Sequence, residues 1–319
     1  MLNGIFSVEF VNSILRATTP ILFATMASAV AAKAGICNMA LEGMMLLSAL
    51  FGVLFSALGG GIFGTASGFS QFASFGFGFL LTVLVGGVIG LIFAFCILHM
   101  KADEILAAIA LNLIASGGTV MLLMAVAGEK GASSSVASVA APKVVIPLIG
   151  SIPVLGEILS GQNLLTWLSI LAVIVMHIFL YKTPMGLKIR AVGENKNAAE
   201  SVGISARKIQ YIALVISGML ASMGGFYLSG GYMNMFTREM AAGRGYIALA
   251  ASSMGADTPV GGFLVSILFG IAQAVANLMQ LTTIPMQLIQ MIPYLTTLIG
   301  LGIYSYARMK RRRKLLQSE

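Results

Sequence analysis

Charged side chains are scarce in this chain, 9% of 319 residues against 58% hydrophobic ones, and the mean hydropathy is +0.96. That balance excludes an ordinary soluble domain and leaves an integral membrane protein. Cysteine is nearly absent too. Cys37 and Cys96 have no metal-ligand spacing and lie in or beside apolar segments, so they read as small packing residues and no metal site is expected. His99 and His177 fall at the ends of apolar runs and read as interfacial residues. No G-x-x-x-x-G-K-[ST] loop occurs, so the chain has no visible means of hydrolysing ATP itself. Gly59 to Gly64, GGGIFG, fits the dinucleotide pattern only in letters, since no strand precedes it and no βαβ unit surrounds it. The ~10-residue alternating segments of a membrane β-barrel are also missing.

What the chain does have is long apolar runs. Phe75 to Leu98 reads FGFGFLLTVLVGGVIGLIFAFCIL, enough for a helix to cross ~30 Å of hydrocarbon while bonding its own backbone. Spans are predicted near 10–31, 39–58, 76–98, 105–127, 164–181, 211–231, 258–279 and 285–305, with a shorter piece at 243–256 that crosses incompletely. The expected fold is all-α: a polytopic transmembrane helical bundle of eight to ten spans, forming one domain over 1–319. No basic stretch precedes the first apolar run, so 10–31 is read as a retained helix and not a cleaved signal. The segment 128–163, rich in Ser, Pro and Ala, is expected to be an external loop carrying a short interfacial helix.

The formal charge of +8 is unevenly placed. Lys182, Lys188, Arg190, Lys196, Arg207 and Lys208 crowd one loop, and Arg308 with Lys310 to Lys314 crowds the tail over 306–319. Lys and Arg beside spans mark the cytoplasmic side, so loop 182–210 and the C-terminus are expected there. The basic tail directly follows a span and suits anchoring at the bilayer surface; no nucleic-acid role is needed.

Loop 182–210 has a local structure of its own. Pro184 and Gly186 interrupt the helix leaving the membrane, and Gly193-Glu194-Asn195 supplies a turn and a helix start. Asn195 suits the N-cap, with Lys196 first in the helix; Asn197 is a second candidate, with Glu200 three residues on. Gly203 suits a left-handed stop, with Ile204 packing back against the helix. A helix of about two turns follows, exposing Ala198, Ala199 and Val202. A capped, partly apolar helix between two spans is a better knob than linker, and points to docking by another subunit.

Within the spans, 37 glycines fit close helix packing. Gly86 and Gly90 form one small-residue face, and Ser217, Ala221 and Gly225 another, both expected to pack inside the subunit. Polar side chains at membrane depth should face the interior or a wet path. Asn38, Glu42, Asn112, Gln273 and Asn277 are the translocation-path candidates, since Asn and Gln offer donors and acceptors to a polar solute without demanding a charge. Arg244 and Asp257 bound the 243–256 piece and are expected to have structural roles there. Ile109-Ala110-Leu111 and Ile247-Ala248-Leu249 echo each other, too short a match to establish a duplication.

Four segments resemble one family: Lys33 to Met45 (KAGICNMALEGMM), Met185 to Ile204 (MGLKIRAVGENKNAAESVGI), Gly243 to Ala250 (GRGYIALA) with Pro259 to Gly270 (PVGGFLVSILFG), and Met291 to Leu298 (MIPYLTTL). Together they are similar to the permease subunits of ATP-binding-cassette importers in the group covering branched-chain amino acids, ribose-like sugars and nucleosides. The resemblance implies that 185–204 holds the coupling helix, with Gly193, Glu194, Asn195, Ala198, Ala199, Glu200, Val202 and Gly203 at the contact. Lys196 stands where many relatives have Pro, which is only favoured at that position. Also implied are a nucleotide-binding ATPase subunit carrying ATP and Mg, a second permease subunit of the same or a related sequence, an extracytoplasmic substrate-binding protein, and a place in the prokaryotic cytoplasmic (inner) membrane. The chain itself would bind no cofactor and contain no catalytic residue. The ALEGMM segment most resembles permeases for nucleosides, ahead of simple sugars and branched-chain amino acids. A carrier driven by an ion gradient is the rival from another class; it would call for paired intramembrane carboxylates, and Glu42 stands nearly alone. A membrane-embedded enzyme would need a nucleophile and base or a metal cluster in or beside a span, and the sequence offers neither.

Overall fold

The computed structural model describes residues 8–64, 67–136, 138–144, 161–280 and 285–316. Among them the helices run α1 Val8–Lys33, α2 Leu41–Phe63, α3 Gly68–Ala94, α4 Glu104–Ala127, α5 Leu164–Lys182, α6 Pro184–Glu194, α7 Lys196–Ser201, α8 Ala206–Phe226, α9 Arg244–Met254, α10 Pro259–Met279 and α11 Met286–Leu316. Wider π-helical turns continue α3 through Phe95–His99 and α8 through Tyr227–Met233. The boundaries follow local chemistry. Asp103 caps α4 by accepting the Ile105 and Leu106 N–H groups, and Gly128 ends it in the left-handed region at φ +69°. Thr258 caps α10, whose first residue is Pro259.

Seven helices among the described residues are long and apolar enough to cross a membrane: α1, α2, α3 with its π turn, α4, α5, α8 with its π turn, and α10. The expected crossing at 285–305 falls inside α11, which runs on through the basic residues to Leu316. The short piece 243–256 is α9, whose 11 residues reach about 16 Å, half a bilayer. The expected interfacial helix in 128–163 cannot be placed, because 145–160 lie outside the described residues; what is described there is an antiparallel pair, Lys143 opposite Asn163 and Val144 opposite Gln162.

Helix α1 is the centre of the bundle, covered by α8, α9, α10 and α5. Its residues from Ala17 to Ala31 are all buried. They are mostly Ala, Thr, Ser and Met, small or pliable enough for close approach. Thr18, Thr19 and Thr25 return their hydroxyls to carbonyls four residues back, and Thr19 also meets the Thr166 hydroxyl of α5 while Thr25 accepts the Ser266 hydroxyl of α10. The two predicted small-residue faces pack within the chain: Gly86 and Gly90 lie on Gly218 of α8, while Ser217 meets Asn38 just before α2 and Gly225 meets Met45 in its first turns.

Two stretches of irregular, turn-rich backbone run into the bundle. Residues 34–40 link α1 to α2, and 234–243 link α8 to α9. Asn38 meets Ser217, about 16 Å along α8 from its start, so the first linker reaches membrane depth. Irregular backbone survives there only when buried in protein or lining a wet cavity.

Candidate functional site

The two linkers meet at Glu42. Its carboxylate accepts the Gly243 N–H through Oε1 and the Gly245 N–H through Oε2, both at 2.7 Å. These amides are unpaired donors at the start of α9, where the helix dipole places positive partial charge, so a carboxylate is the natural complement. Asn112 on α4 supports the same junction, accepting the Gly43 N–H at 2.8 Å and donating to the Met39 carbonyl at 3.1 Å and the Tyr246 hydroxyl at 3.0 Å. Asn38 is buried, donating to Ser217 Oγ at 2.9 Å and accepting the Ala40 N–H at 3.1 Å. These side chains satisfy backbone that would otherwise be stranded.

Two clefts adjoin at Tyr246, the first walled by α4, α9 and α11 and the second by α1, the first linker, α9 and α11. One, of about 490 Å³, is lined by Glu42, Asn112, Ser116, Glu239, Tyr246 and Tyr294 among others. The second, of about 600 Å³, passes Asn38 and Cys37 toward Asp257. Ser116, Glu239, Tyr246 and Tyr294 were not singled out from the sequence. The signal available was the charged pair Arg238-Glu239 between two apolar runs, a costly placement unless it faces water or protein.

Gln273 and Asn277 do not reach these clefts. They bond to each other at 3.2 Å and border a narrow void beside Arg16 and Arg244. Arg244 donates to the Met240 and Ala241 carbonyls at 3.0 and 3.2 Å, and Asp257 accepts the Ser252 hydroxyl at 2.7 Å, so both tie down the ends of α9. Among the described residues no group of three or more His, Cys, Asp or Glu side chains is placed to hold a metal ion.

At the end of the bundle that carries Lys33 and Asp257 lies the second candidate region. Thr183 caps α6, with Pro184 as its first residue, and Arg190 fastens it to α5 by donating to the Leu180 carbonyl at 3.0 Å with its guanidinium 4.8 Å from the Tyr181 ring. Gly193 and Glu194 therefore finish a helix; they do not form the turn expected of them, because α6 stays in register until Asn195 becomes extended. Asn195 then caps α7, accepting the Ala198 N–H at 3.0 Å. Gly203, at φ +83°, closes it, with the Gly203 N–H on the Glu200 carbonyl and the Ile204 N–H on the Ala199 carbonyl. Ala198 and Glu200 are exposed, as is Val202 at 74%. Ala199 is not: at 4% exposure it faces the core, because a six-residue helix anchored at both ends must turn one side inward. Gly193 packs directly on Lys33 and Gly35, with no room for a Cβ, so α7 hangs from a rigid junction with the first linker.

Residues 10–301 match the family described as branched-chain amino acid transport system / permease component. The chain is 31% identical to the nucleoside ABC transporter permease protein NupC of Lactococcus lactis, over 92% of this chain and 91% of that one. It is 31% identical to the guanosine ABC transporter permease protein NupQ of Bacillus subtilis, over 92% of each. It is 27% identical to the putative glucose ABC transporter permease protein TsgC13 of Haloferax volcanii, over 95% and 92%. No solved structure gives a significant match.

Proposed function

This chain belongs to the branched-chain amino acid transport system permease component family, and on that premise we propose that it forms the membrane path of an ATP-driven importer for nucleosides. The observation carrying the substrate class is the 31% identity, over nine-tenths of the chain, to two permeases named for nucleosides and guanosine. The weaker likeness to a permease named for glucose makes a simple sugar the second reading, with a branched-chain amino acid behind it.

The whole chain acts as one permease domain in the cytoplasmic membrane of a prokaryote. α11 completes an eighth crossing, the half-span α9 stops at mid-depth, and the basic tail lies inside the cell. α7 is the coupling helix, offering Ala198, Glu200 and Val202 to the ATPase subunit that carries ATP and Mg. Gly193, Glu194, Asn195, Ala199 and Gly203 set its position. The face of α4, α9 and α11 turns toward a second permease subunit. Glu42, Glu239 and Asn112 stand on that face at membrane depth, and lipid would penalise them there while a wet path between two subunits would not. Asn38 and Glu42 hold the backbone of the path; Gln273 and Asn277 lie away from it and bond to each other on α10. An extracytoplasmic binding protein delivers the solute.

The test is uptake into vesicles holding the permease and ATPase complex with the binding protein outside. Inosine or guanosine should enter with ATP hydrolysis, and glucose and leucine should not. An Ala198→Arg change, which puts a long cation on the exposed side of α7, should abolish ATPase stimulation while the protein stays folded. Nucleoside flux without any ATPase would overturn this reading in favour of a gradient-driven carrier, and uptake of glucose alone would move it to the sugar permeases.

A further inference from the structure

The cleft at Glu42 holds one carboxylate that the bundle does not need for its own backbone. Glu42 is occupied by two amides. Among the described residues Glu239 receives only the Ser116 hydroxyl, across the mouth of the same cleft. Its backbone is held at φ +57°, and Ala242 at φ +48° follows, both in the left-handed region that ordinary residues avoid. Such conformations are strained for residues that carry a Cβ and persist where the surroundings impose them. Here they curl the 239–243 turn so that Glu239 faces α4 and leave Gly243 against Glu42. Opposite stand two tyrosines, Tyr246 49% and Tyr294 46% exposed. Their hydroxyls are tethered, Tyr246 to Asn112 and Tyr294 to the Ala242 carbonyl at 3.3 Å, which fixes the rings at the wall while their faces stay open.

Resting on the nucleoside reading, we propose that this cleft is a transit site within the membrane for the solute, with Glu239 accepting the vicinal hydroxyls of the furanose and Tyr246 and Tyr294 providing a platform for the base. A carboxylate beside a hydroxyl presents adjacent acceptors to a cis diol, and bonds to an ionised acceptor are about twice as strong as neutral ones. Aromatic faces accept any base, because stacking does not depend on its edge groups. The volume, about 490 Å³, falls within the ~300–1,000 Å³ of small-molecule sites.

The experiment compares inosine with 2′,3′-dideoxyinosine in the reconstituted complex, each at a concentration that saturates the binding protein. The wild type should move inosine roughly tenfold faster, and Glu239→Gln should cut that ratio to about threefold. A ratio unchanged by Glu239→Gln overturns the diol assignment and leaves the nucleoside reading intact; a wild type that moves no nucleoside at all overturns both. Ser116→Cys, in a chain with Cys37→Ser and Cys96→Ala, gives a measurement free of the Glu239 variant's own folding. In the permease and ATPase complex without binding protein, inosine at twice its dissociation constant should slow maleimide labelling of the new thiol about threefold, and the dideoxy compound should not. Equal labelling with and without inosine overturns the site, as does equal protection by a monovalent cation alone.

Discussion

Helices α1 and α4 are both long and apolar enough to span a membrane, yet most of α1 is buried within the chain and little of α4 is, although α4 is the more hydrophobic of the two. In water the order would be reversed. Lipid offers no hydrophobic drive toward the centre of a bundle, so position is decided by how closely backbones approach and by where polar atoms find partners. α1 is therefore made of Ala, Thr and Ser and lies in the middle. α4 carries Leu106, Leu113 and Ile114 outward and keeps Asn112 and Ser116 for the cleft. One is scaffold; the other is the wall of the proposed path.

The largest effect should come from forcing bulk into the scaffold. Gly218 on α8 rests against Gly86 and Gly90 of α3 with no space for a side chain. Gly218→Leu should cost about 3 kcal/mol or more, the upper range for overpacking, because the obstacle is backbone and not a mobile side chain. Leu113→Ala on α4, where the side chain is 68% exposed, should stay within about 0.5 kcal/mol. Thermal midpoints in detergent, with the folded fraction read by size exclusion, check both. Equal losses would erase the distinction between the two helices.

Much of the scaffold was legible in the sequence, because a span is a local property of ~20 residues and a cap a local property of three or four. Asn195 and Gly203 bound α7 as their types predict. Ala199 misled because which side of a short helix faces inward is set by its anchors, and Gly193-Glu194 misled because α6 draws its stability from α5. Within the site, Glu42 stood out as a carboxylate just inside a predicted span, but its partners lie 201 and 203 residues away, beyond any spacing rule. Glu239, Tyr246 and Tyr294 come together only through the left-handed turn at 239–243, and no sequence pattern announces non-glycine residues in that conformation.

The junction between scaffold and wall gives the next largest effect. Glu42→Ala strips the partners from two part-buried amides, each costing ~1–3 kcal/mol when left unpaired. The loss should exceed that of Leu113→Ala severalfold, and Glu42→Gln, which keeps one acceptor oxygen, should recover roughly half of it. The same thermal measurement decides; a Glu42→Ala protein as stable as the wild type would show that α9 needs no cap from α2.

The smallest effect tests how a span with little burial is held at its end. Just past α4, Glu129 accepts from the hydroxyl and the N–H of Ser134, each at 2.9 Å, and the Ser134 hydroxyl is the main cause holding its carboxyl below the usual carboxylate range. The sign follows from that direction. With the folded value depressed, the contact stabilises the loop fully above the unfolded carboxylate range and is lost as pH falls through the lower, folded value. Glu129 is only partly covered, so solvent screening keeps the effect local. The protection of the Ser134 amide against hydrogen exchange, corrected for intrinsic rate, should therefore drop over that acidic interval. In Glu129→Gln it should be lower at neutral pH and flat with acidification. α1 ends instead in a junction made of backbone and Lys33, whose ammonium donates to the Ala256 carbonyl at 3.1 Å, a contact without any carboxylate. The Ala34 and Gly35 amides, bonded to carbonyls of α1, should keep their protection across the same interval. A parallel fall at both ends would mean that acid loosens the whole bundle and that Glu129 has no separate part in it.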